Sequence, residues 1–487
     1  MKIPGLACSL LLATVVPHRA AVAAQDVPCP TTLSHLSAKV ESDYAGFFLE
    51  VRGARRAQYD TSLARLRTRA AHASSDGCLA LLQDYLAWFG DPHLFLFQSA
   101  ELDDSEVVRR QHAVTVLAFD SLAFKARLAR PDVQRDPIEG IWTDGRLRAA
   151  VEPEGTPRSG RYVAVVLTPD TVGWPVGAVR ARFTRIRPGR YQADLSLANF
   201  ARRRLEADFY RGDLLRTSPG MWGREAPAAA LVPGQLDPAD PHRPTLRIHD
   251  RAAIVAMPSN DPAYAPVLDS LVTASAQALQ SVDVLILDLR GNEGGSIATV
   301  FPLVPYMVTD GQAAPPLLDQ ASARMLSSPD QIAFARRAFG PDTSAFVRAL
   351  VARLERSPGQ LVPFLDPQSP PPPDGMPPAI QGPRRVGVIV DHGTVSAAEV
   401  VALYARQSAR VTIYGEPTAG ALDYQSVSII PLSPEEHRWY LGYPTLARND
   451  RLPAGGMRGH GIEPDVHLDL AHLEDPVGWV ERDLSRR

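Results

Sequence analysis

The sequence predicts an α/β core towards the C-terminal end, a helical module at the N-terminal end, and a β-rich region between them. Three observations carry this. From about residue 245, buried-strand patterns alternate with helical ones. Within residues 26–130, apolar residues recur at three- and four-residue steps. Residues 136–206 hold short alternating runs broken by Gly, Pro and Asp. At 487 residues the chain exceeds one typical core and calls for two or three domains. Its 45% hydrophobic and 22% charged content is ordinary for a soluble globular protein. A net charge of -3 gives no reason to expect nucleic acid or an anionic membrane as partner.

Residues 1–24 have the layout of a secretory signal peptide. Lys2 supplies an early charge, Leu6 to Val16 an apolar stretch too short to span a bilayer, and Ala23 or Ala24 a small-residue cleavage point. The expectation is an exported protein, periplasmic or secreted, with no membrane span in the mature chain. Two cysteines then remain, Cys29 and Cys78, and in an oxidising compartment one disulfide between them is the simplest expectation. It would close a loop of about 50 residues, worth roughly 4 kcal/mol in the chain-entropy model; two unpaired buried thiols are the other reading. Leu33, Leu36, Val40, Tyr44, Phe47 and Val51 mark a first amphipathic helix, and Leu63 and Leu66 a second. A third runs from Cys78 through Leu82 and Leu86 to Phe89, with Gly90 as its stop.

The β-rich region, "RYVAVVLTP" and "VRARFTRIRP" among its runs, reads as antiparallel strands joined by tight turns, with Trp142 and Trp174 as core or rim residues. The α/β pattern occupies residues 245–470. "VDVLILDLRG" and "RRVGVIVD" are near-continuous apolar strands, as a sheet buried on both faces requires. "SIATVFPLVPYMV" and "SAAEVVALYARQ" read as the helices that follow them, and "ARVTIYGE" as a further strand. Further helical segments fall near 330–356, and "DPQSPPPPDGMPP" is a stiff exposed loop.

Ser396 stands at the corner between the strand ending at Asp391 and the helix that follows. A serine hydroxyl is a weak nucleophile that needs a positioned base and a cradle for the oxyanion it creates. The helix start offers the cradle, with the Ala397 amide as one donor. The same stretch, Ser396 to Glu399, also matches a capping box, so capping and nucleophilic roles both stand. A second stretch bears on the choice. Gly291, Gly294 and Gly295 form a loop after a buried strand, where backbone can approach a ligand closely. Its spacing fits neither dinucleotide nor P-loop patterns, the histidines form no H-E-x-x-H motif, and no metal or cofactor is implied.

Four stretches in order, "VDVLILDLRGNEGGS", "VGVIVDHGTVSAAEVVALYARQ", "GEPTAGA" and "GHGIEPDV", resemble the protease domain of the tail-specific or C-terminal-processing peptidases, serine peptidase family S41. The resemblance implies a ClpP/crotonase-like fold of ββα units. It also implies Ser396 as nucleophile, Gly294 or Gly295 and Ala397 as oxyanion donors, and a protein or peptide substrate. One branch of the family takes its base from a lysine shortly after the "GEPTAGA"-like turn. Ala421 stands there, and Lys2, Lys39 and Lys125 are the only lysines, all far upstream. The tricorn-like branch instead uses a histidine after a helix and an acidic, glycine-containing turn, a pattern met by "LAWFGDPHLF" and His93. His93 is therefore the first candidate base, His460 the second and His392 the third. An acidic partner of the base would fall at Arg458, so that carry-over fails; Glu399, one helical turn from Ser396, is a supporting candidate. Residues 136–206 stand where the family commonly has a PDZ domain but lack a carboxylate-binding glycine loop, so tail-specificity does not follow. The expected function is an exported serine endopeptidase. A non-catalytic protein binding hydrophobic ligands or proteins on the same scaffold, and an esterase or amidase, are the alternatives.

Overall fold

The computed structural model describes residues 27–98 and 104–487 except 131, 145–146, 157–158, 169–172, 188, 210–213, 218–220, 228–235, 237–239, 309–322, 339–344, 367–379, 381, 433–438, 448–455, 471 and 474. The expected signal peptide and nearly all of the proline-rich stretch lie outside the described residues. The chain forms two units, one joining residues 24–99 to 246–487 and the other spanning residues 100–245.

The first unit opens with four helices, α1 (Cys29–Asp43), α2 (Ala45–Glu50), α3 (Gly53–Ala70) and α4 (Ser75–Ala87), followed by strand β1 (Phe95–Gln98). The three-and-four spacing becomes a buried stripe: Leu33, Leu36 and Val40 of α1, Leu63 and Leu66 of α3, and Leu81, Leu82 and Tyr85 of α4 are all buried. The Ser74 hydroxyl caps α4 by accepting the Gly77 N–H at 3.2 Å. Cys29 and Cys78 form the disulfide, with Cα atoms 5.6 Å apart, and tie α1 to α4.

The next two helices, α5 (Asp104–His112) and α6 (Ser121–Leu128), belong to the second unit and not to a helical bundle reaching residue 130. The reason lies in packing: Phe124 and Leu128 of α6 bury against Ile141 and Ala150 of the β-region. Eight strands follow: β2 (Gly140–Thr143), β3 (Arg148–Pro153), β4 (Arg161–Val166), β5 (Val179–Arg187), β6 (Arg190–Ser196), β7 (Arg202–Phe209), β8 (Leu214–Arg216) and β9 (Met221–Ala226). They pair in sequence order, and β2 pairs with β9 to close a barrel. Alternate residues point inward, among them Tyr162, Ala164 and Val166 of β4 and Tyr191, Ala193 and Leu195 of β6. Trp142 and Trp174 are core residues, 0% and 1% exposed. The barrel runs beyond residue 206 because the short β8 and β9, which carry no clear alternation, are what closes it.

The chain then returns to the first unit with β10 (Thr245–His249), β11 (Ala252–Ala256), α7 (Ala265–Ala274), α8 (Ala276–Ser281) and β12 (Val284–Asp288). The segment after β12 is not one α-helix. A 3-10 turn, Ile297–Leu303, precedes a short α9 (Val304–Met307), because Pro302 and Pro305 withhold backbone donors. Next come β13 (Arg324–Leu326), α10 (Pro329–Ala338), α11 (Ala345–Arg356), β14 (Leu361–Pro363), β15 (Arg385–Val390), α12 (Ala397–Arg406) and β16 (Val411–Gly415). The chain ends with β17 (Tyr424–Pro431), β18 (Trp439–Ala447), β19 (Val466–His467) and α13 (Pro476–Arg486).

One sheet has the order β10-β11-β12-β15-β16-β19, its pairs from β11 onward parallel. Both its faces are covered, which explains the unbroken apolar runs. Leu285, Leu287, Val386 and Val388 face the core shared with α7 and α12, while Val284, Ile286 and Ile389 meet Val480 and Leu484 of α13. The other sheet has the order β1-β18-β13-β14, with β17 also paired to β18. The helical module packs on it, so Leu33, Tyr44 and Phe89 share one core with Tyr424, Leu441 and Tyr443. β1 pairs antiparallel with β18, Phe95 opposite Gly442. Residues just before β1 are thereby anchored among C-terminal strands.

Candidate active site

β12 and β15 are parallel neighbours, so the turns that follow them leave from the same end of the sheet. Those turns are the Gly-rich loop and the corner carrying Ser396. They are stitched together: the Asp391 carboxylate accepts the Gly291 N–H at 2.8 Å, the Thr394 hydroxyl donates to Leu289 O at 3.0 Å, and the Val395 N–H donates to Asn292 O at 2.9 Å.

Ser396 is half-buried and has φ 57° and ψ -117°. A positive φ at a residue with a Cβ costs on the order of 1–3 kcal/mol and persists only where the surroundings enforce it. Glu399 is a main enforcer. Its carboxylate is 0% exposed and accepts four hydrogen bonds: Ser396 N–H at 2.9 Å, Thr418 hydroxyl at 2.6 Å, Gly420 N–H at 2.8 Å and Ala421 N–H at 2.9 Å. The bond to Ser396 is the glutamate half of the expected capping box; the other three pin the helix start to the turn at 418–421. Burial raises the Glu399 pKa, and the hydrogen bonds from Thr418, Ala421, Ser396 and Gly420 oppose that rise.

The Gly-rich loop presses directly on this corner. A Cβ on Gly294 would lie 2.9 Å from the Ser396 Cβ and 3.1 Å from the Ala397 nitrogen, and Gly294 has φ 92°. A Cβ on Gly295, φ 131°, would lie 2.4 Å from Asn260 O. No other residue fits either place. The two glycines differ in what their amides do. The Gly294 N–H donates to Asn292 Oδ1 at 2.9 Å, so it is already engaged. Ala397 is the first residue of α12, where an N–H has no intrahelical acceptor.

His93 follows the Gly90 stop of α4 and is 7% exposed. Its backbone N–H donates to Asp91 Oδ1 at 2.9 Å, and Asp91 Oδ2 accepts the Tyr44 hydroxyl at 2.7 Å. Burial raises the Asp91 pKa, while the electrostatic interaction with His93 and the Tyr44 hydrogen bond oppose that rise. His93 Nδ1 lies 2.6 Å from the main-chain oxygen of Tyr424. A carbonyl only accepts, so the imidazole donates from Nδ1, and in the neutral ring this tautomer leaves the lone pair on Nε2. Tyr424 is three residues beyond Ala421, whose N–H shares Glu399 Oε2 with the Ser396 N–H. That stretch of chain reaches at most roughly 10 Å, so His93 and Ser396 are fastened to one short segment. The other histidines are placed differently. The His392 side chain is 67% exposed with Nδ1 3.8 Å from Glu416, and His460 is exposed with Nδ1 near its neighbour Gly461 O. Lys39 is engaged in an ion pair with Asp330.

Sequence reasoning did not find the Tyr424 oxygen, Asp91 or Tyr44. Asp91 had a signal, the acidic turn before His93; a main-chain oxygen has none. Among the described residues the one grouping able to hold a metal is His249, Asp250 and Glu481, which includes none of the residues above.

The chain is a serine-type peptidase, a hydrolase acting on peptides or proteins, as the family it matches implies. Residues 251–468 match the family model Peptidase family S41, and this part of the chain is an S41 peptidase domain. No curated protein matches the chain. Similar solved structures include mature CPAF complexed with lactacystin, 14% identical over 94% of this chain and 99% of that one, with a TM-score of 0.44. The photosystem II D1 C-terminal processing protease is 15% identical over 94% and 98%, TM-score 0.37. A lipoprotein from Streptococcus agalactiae is 12% identical over 96% and 99%, TM-score 0.37.

Proposed function

We propose that the protein is an exported endopeptidase of the Ser–His type, with Ser396 as nucleophile and His93 as base. Ser396 Oγ attacks the scissile carbonyl carbon while His93 Nε2 takes its proton. The Gly295 and Ala397 N–H groups receive the oxyanion; Gly294, its own N–H engaged, supplies the close approach. Collapse of the tetrahedral intermediate expels the amine, which takes the proton back from His93, and water then hydrolyses the acyl-enzyme by the same steps. Glu399 holds the nucleophile's backbone and touches no reacting atom. The observation that carries this reading is the strained backbone at Ser396, held by a buried carboxylate against a turn that only glycine can form. A helix cap needs no positive φ. Lys39, committed to Asp330, is a poor candidate for a Ser–Lys base.

Two features bear on setting. The Cys29–Cys78 disulfide suits an oxidising compartment and hence export, and no helix among the described residues is long and apolar enough to cross a membrane. The middle unit is a closed barrel, which lacks the free sheet edge by which PDZ domains add a peptide strand; the protein is accordingly read as a general rather than tail-specific endopeptidase.

A fluorophosphonate probe tests the assignment. Wild-type protein is expected to label, Ser396→Ala to lose labelling outright, and His93→Ala to slow it by roughly 10²–10⁴-fold, with His460→Ala unchanged. Labelling that depends on His460 and not His93 would move the base, and a folded wild type that never labels would favour the ligand-binding alternative.

A further inference from the structure

The position where the resemblance calls for an acidic partner of the base is Arg458, and the structure answers that inversion with a different device. His93 Nδ1 is held by a main-chain oxygen, that of Tyr424. Such an oxygen orients an imidazole only as well as its own peptide is fixed. Tyr424 is 1% exposed, and its hydroxyl donates to Glu50 Oε1 at 2.6 Å. Glu50 Oε2 accepts from the Arg458 guanidinium at 2.5 Å, with Arg55 a weaker neighbour at 3.7 Å. The ring of contacts closes through Asp423, whose carboxylate accepts the Met457 N–H at 2.8 Å and the Arg458 N–H at 3.2 Å. A second ring leads back to the histidine. The Tyr424 ring stands edge-on to Tyr44, 5.3 Å between centroids, and Tyr44 bonds the Asp91 that holds the His93 backbone.

Charge and protonation agree with this geometry. Burial works against the Arg458 charge, but the hydrogen bond and charge of Glu50 outweigh it and raise its pKa. Burial, and then Glu50, raise the Tyr424 pKa, so the phenol stays a neutral donor. Arg458 is thus held in its charged form beside a Tyr424 hydroxyl held in its protonated form, with Glu50 bonded to both.

We propose that Glu50 and Arg458 are positioning residues of the peptidase, clamping Tyr424 so that its main-chain oxygen locks His93 in the Nδ1–H tautomer with Nε2 free as base. This rests on the Ser396–His93 reading. It gives the base a neutral orienting partner where serine peptidases of the triad type use a carboxylate. The clamp supplies geometry, and tautomer choice alone decides whether Nε2 can accept a proton.

The test uses the full-length protein and the fluorophosphonate labelling rate of Ser396. Arg458→Gln and Tyr424→Phe are each expected to slow labelling about 10- to 100-fold, less than loss of the base itself. Arg458→Lys, which keeps the charge on Glu50, should recover part of the rate. In a His93→Ala background none of the three should slow labelling further, a coupling that a merely structural role would not produce. In protein carrying ¹⁵N-histidine, the hydrogen-bonded Nδ1–H resonance of His93 should be present in wild type and Arg458→Lys and lost or shifted in the other two. If Arg458→Gln does not fold, Tyr424→Phe decides alone, since it removes a single oxygen. Wild-type labelling rates and an unchanged Nδ1–H signal in folded Tyr424→Phe would overturn the inference and leave the Ser–His reading standing. Unimpaired labelling in His93→Ala would overturn that reading itself.

Discussion

Glu399 shows how much of this site rests on one carboxylate without exposed surface. Its carboxylate accepts all four of these bonds, so Glu399→Ala deprives three N–H groups and a hydroxyl of that acceptor and also releases the strained backbone of Ser396. The expected cost is about 3 kcal/mol in urea unfolding, with activity lost well before the fold. The pH dependence of that cost has a defined sign. A carboxyl whose pKa is raised in the folded state contributes stability fully below its ordinary value of 4.5, and loses it as pH rises through the raised value. The destabilisation by Glu399→Ala should therefore be largest in acid and shrink towards neutrality; a cost that grows with pH would mean the ionised form is the favoured one. At this scale the sequence was legible where chemistry is contiguous. Ser396, Ala397, Glu399 and the glycines sit in two short stretches, where turn and helix-end physics marks the corner and the family resemblance implies the roles proposed for them. His93's partner was not legible, because a carbonyl oxygen belongs to every residue and only folding selects Tyr424. Neither Glu50 nor Arg458 carries a local signal, their pairing spanning 408 positions of chain.

Helices and strands tell a similar story one level up. Apolar spacing disclosed α1, α3 and α4, since a stripe of Leu and Val has only one way to be buried, but it joined α1 and α2 into one helix that the chain breaks at Tyr44, where the backbone is extended (φ -87°, ψ 114°). It could not disclose that the stripe packs on β17 and β18, because partner choice is non-local. The helix expected after β12 breaks into a 3-10 turn and a short α9 for a local reason that was in plain view, the prolines at 302 and 305. The disulfide matters here because α4 ends just ahead of His93. Removing it with Cys29→Ser and Cys78→Ser together should cost about 2–4 kcal/mol of stability, read as a lower denaturant midpoint. Labelling of Ser396 should remain until unfolding begins, since neither sulfur touches the Tyr424–His93 contact. Loss of labelling in the fully folded double mutant would show that α4 needs the tether to present the histidine.

For the molecule as a whole, the sequence announced an α/β domain and a β-region but not a closed barrel. Closure depends on three-residue β8 and on β9, a strand interrupted by Gly223 and charges, which no periodicity reveals. A barrel with its own aromatic core should fold by itself. A fragment of residues 100–245 is expected to unfold cooperatively and to give dispersed amide resonances; a collapsed, poorly dispersed spectrum would count against it. This unit is also an interruption. The histidine and the carbonyl that holds it are 331 residues apart, with the barrel's entire chain threaded between them. On the proposed assignment, a growing chain exposes its base early, yet has no nucleophile and no tautomer lock until Ser396, Tyr424 and finally Arg458 have been made. Chains that stall or are cut short before that point stay inert. The order of residues along the polypeptide thus acts as a timer that, on this assignment, withholds proteolysis until the chain has been made as far as Arg458.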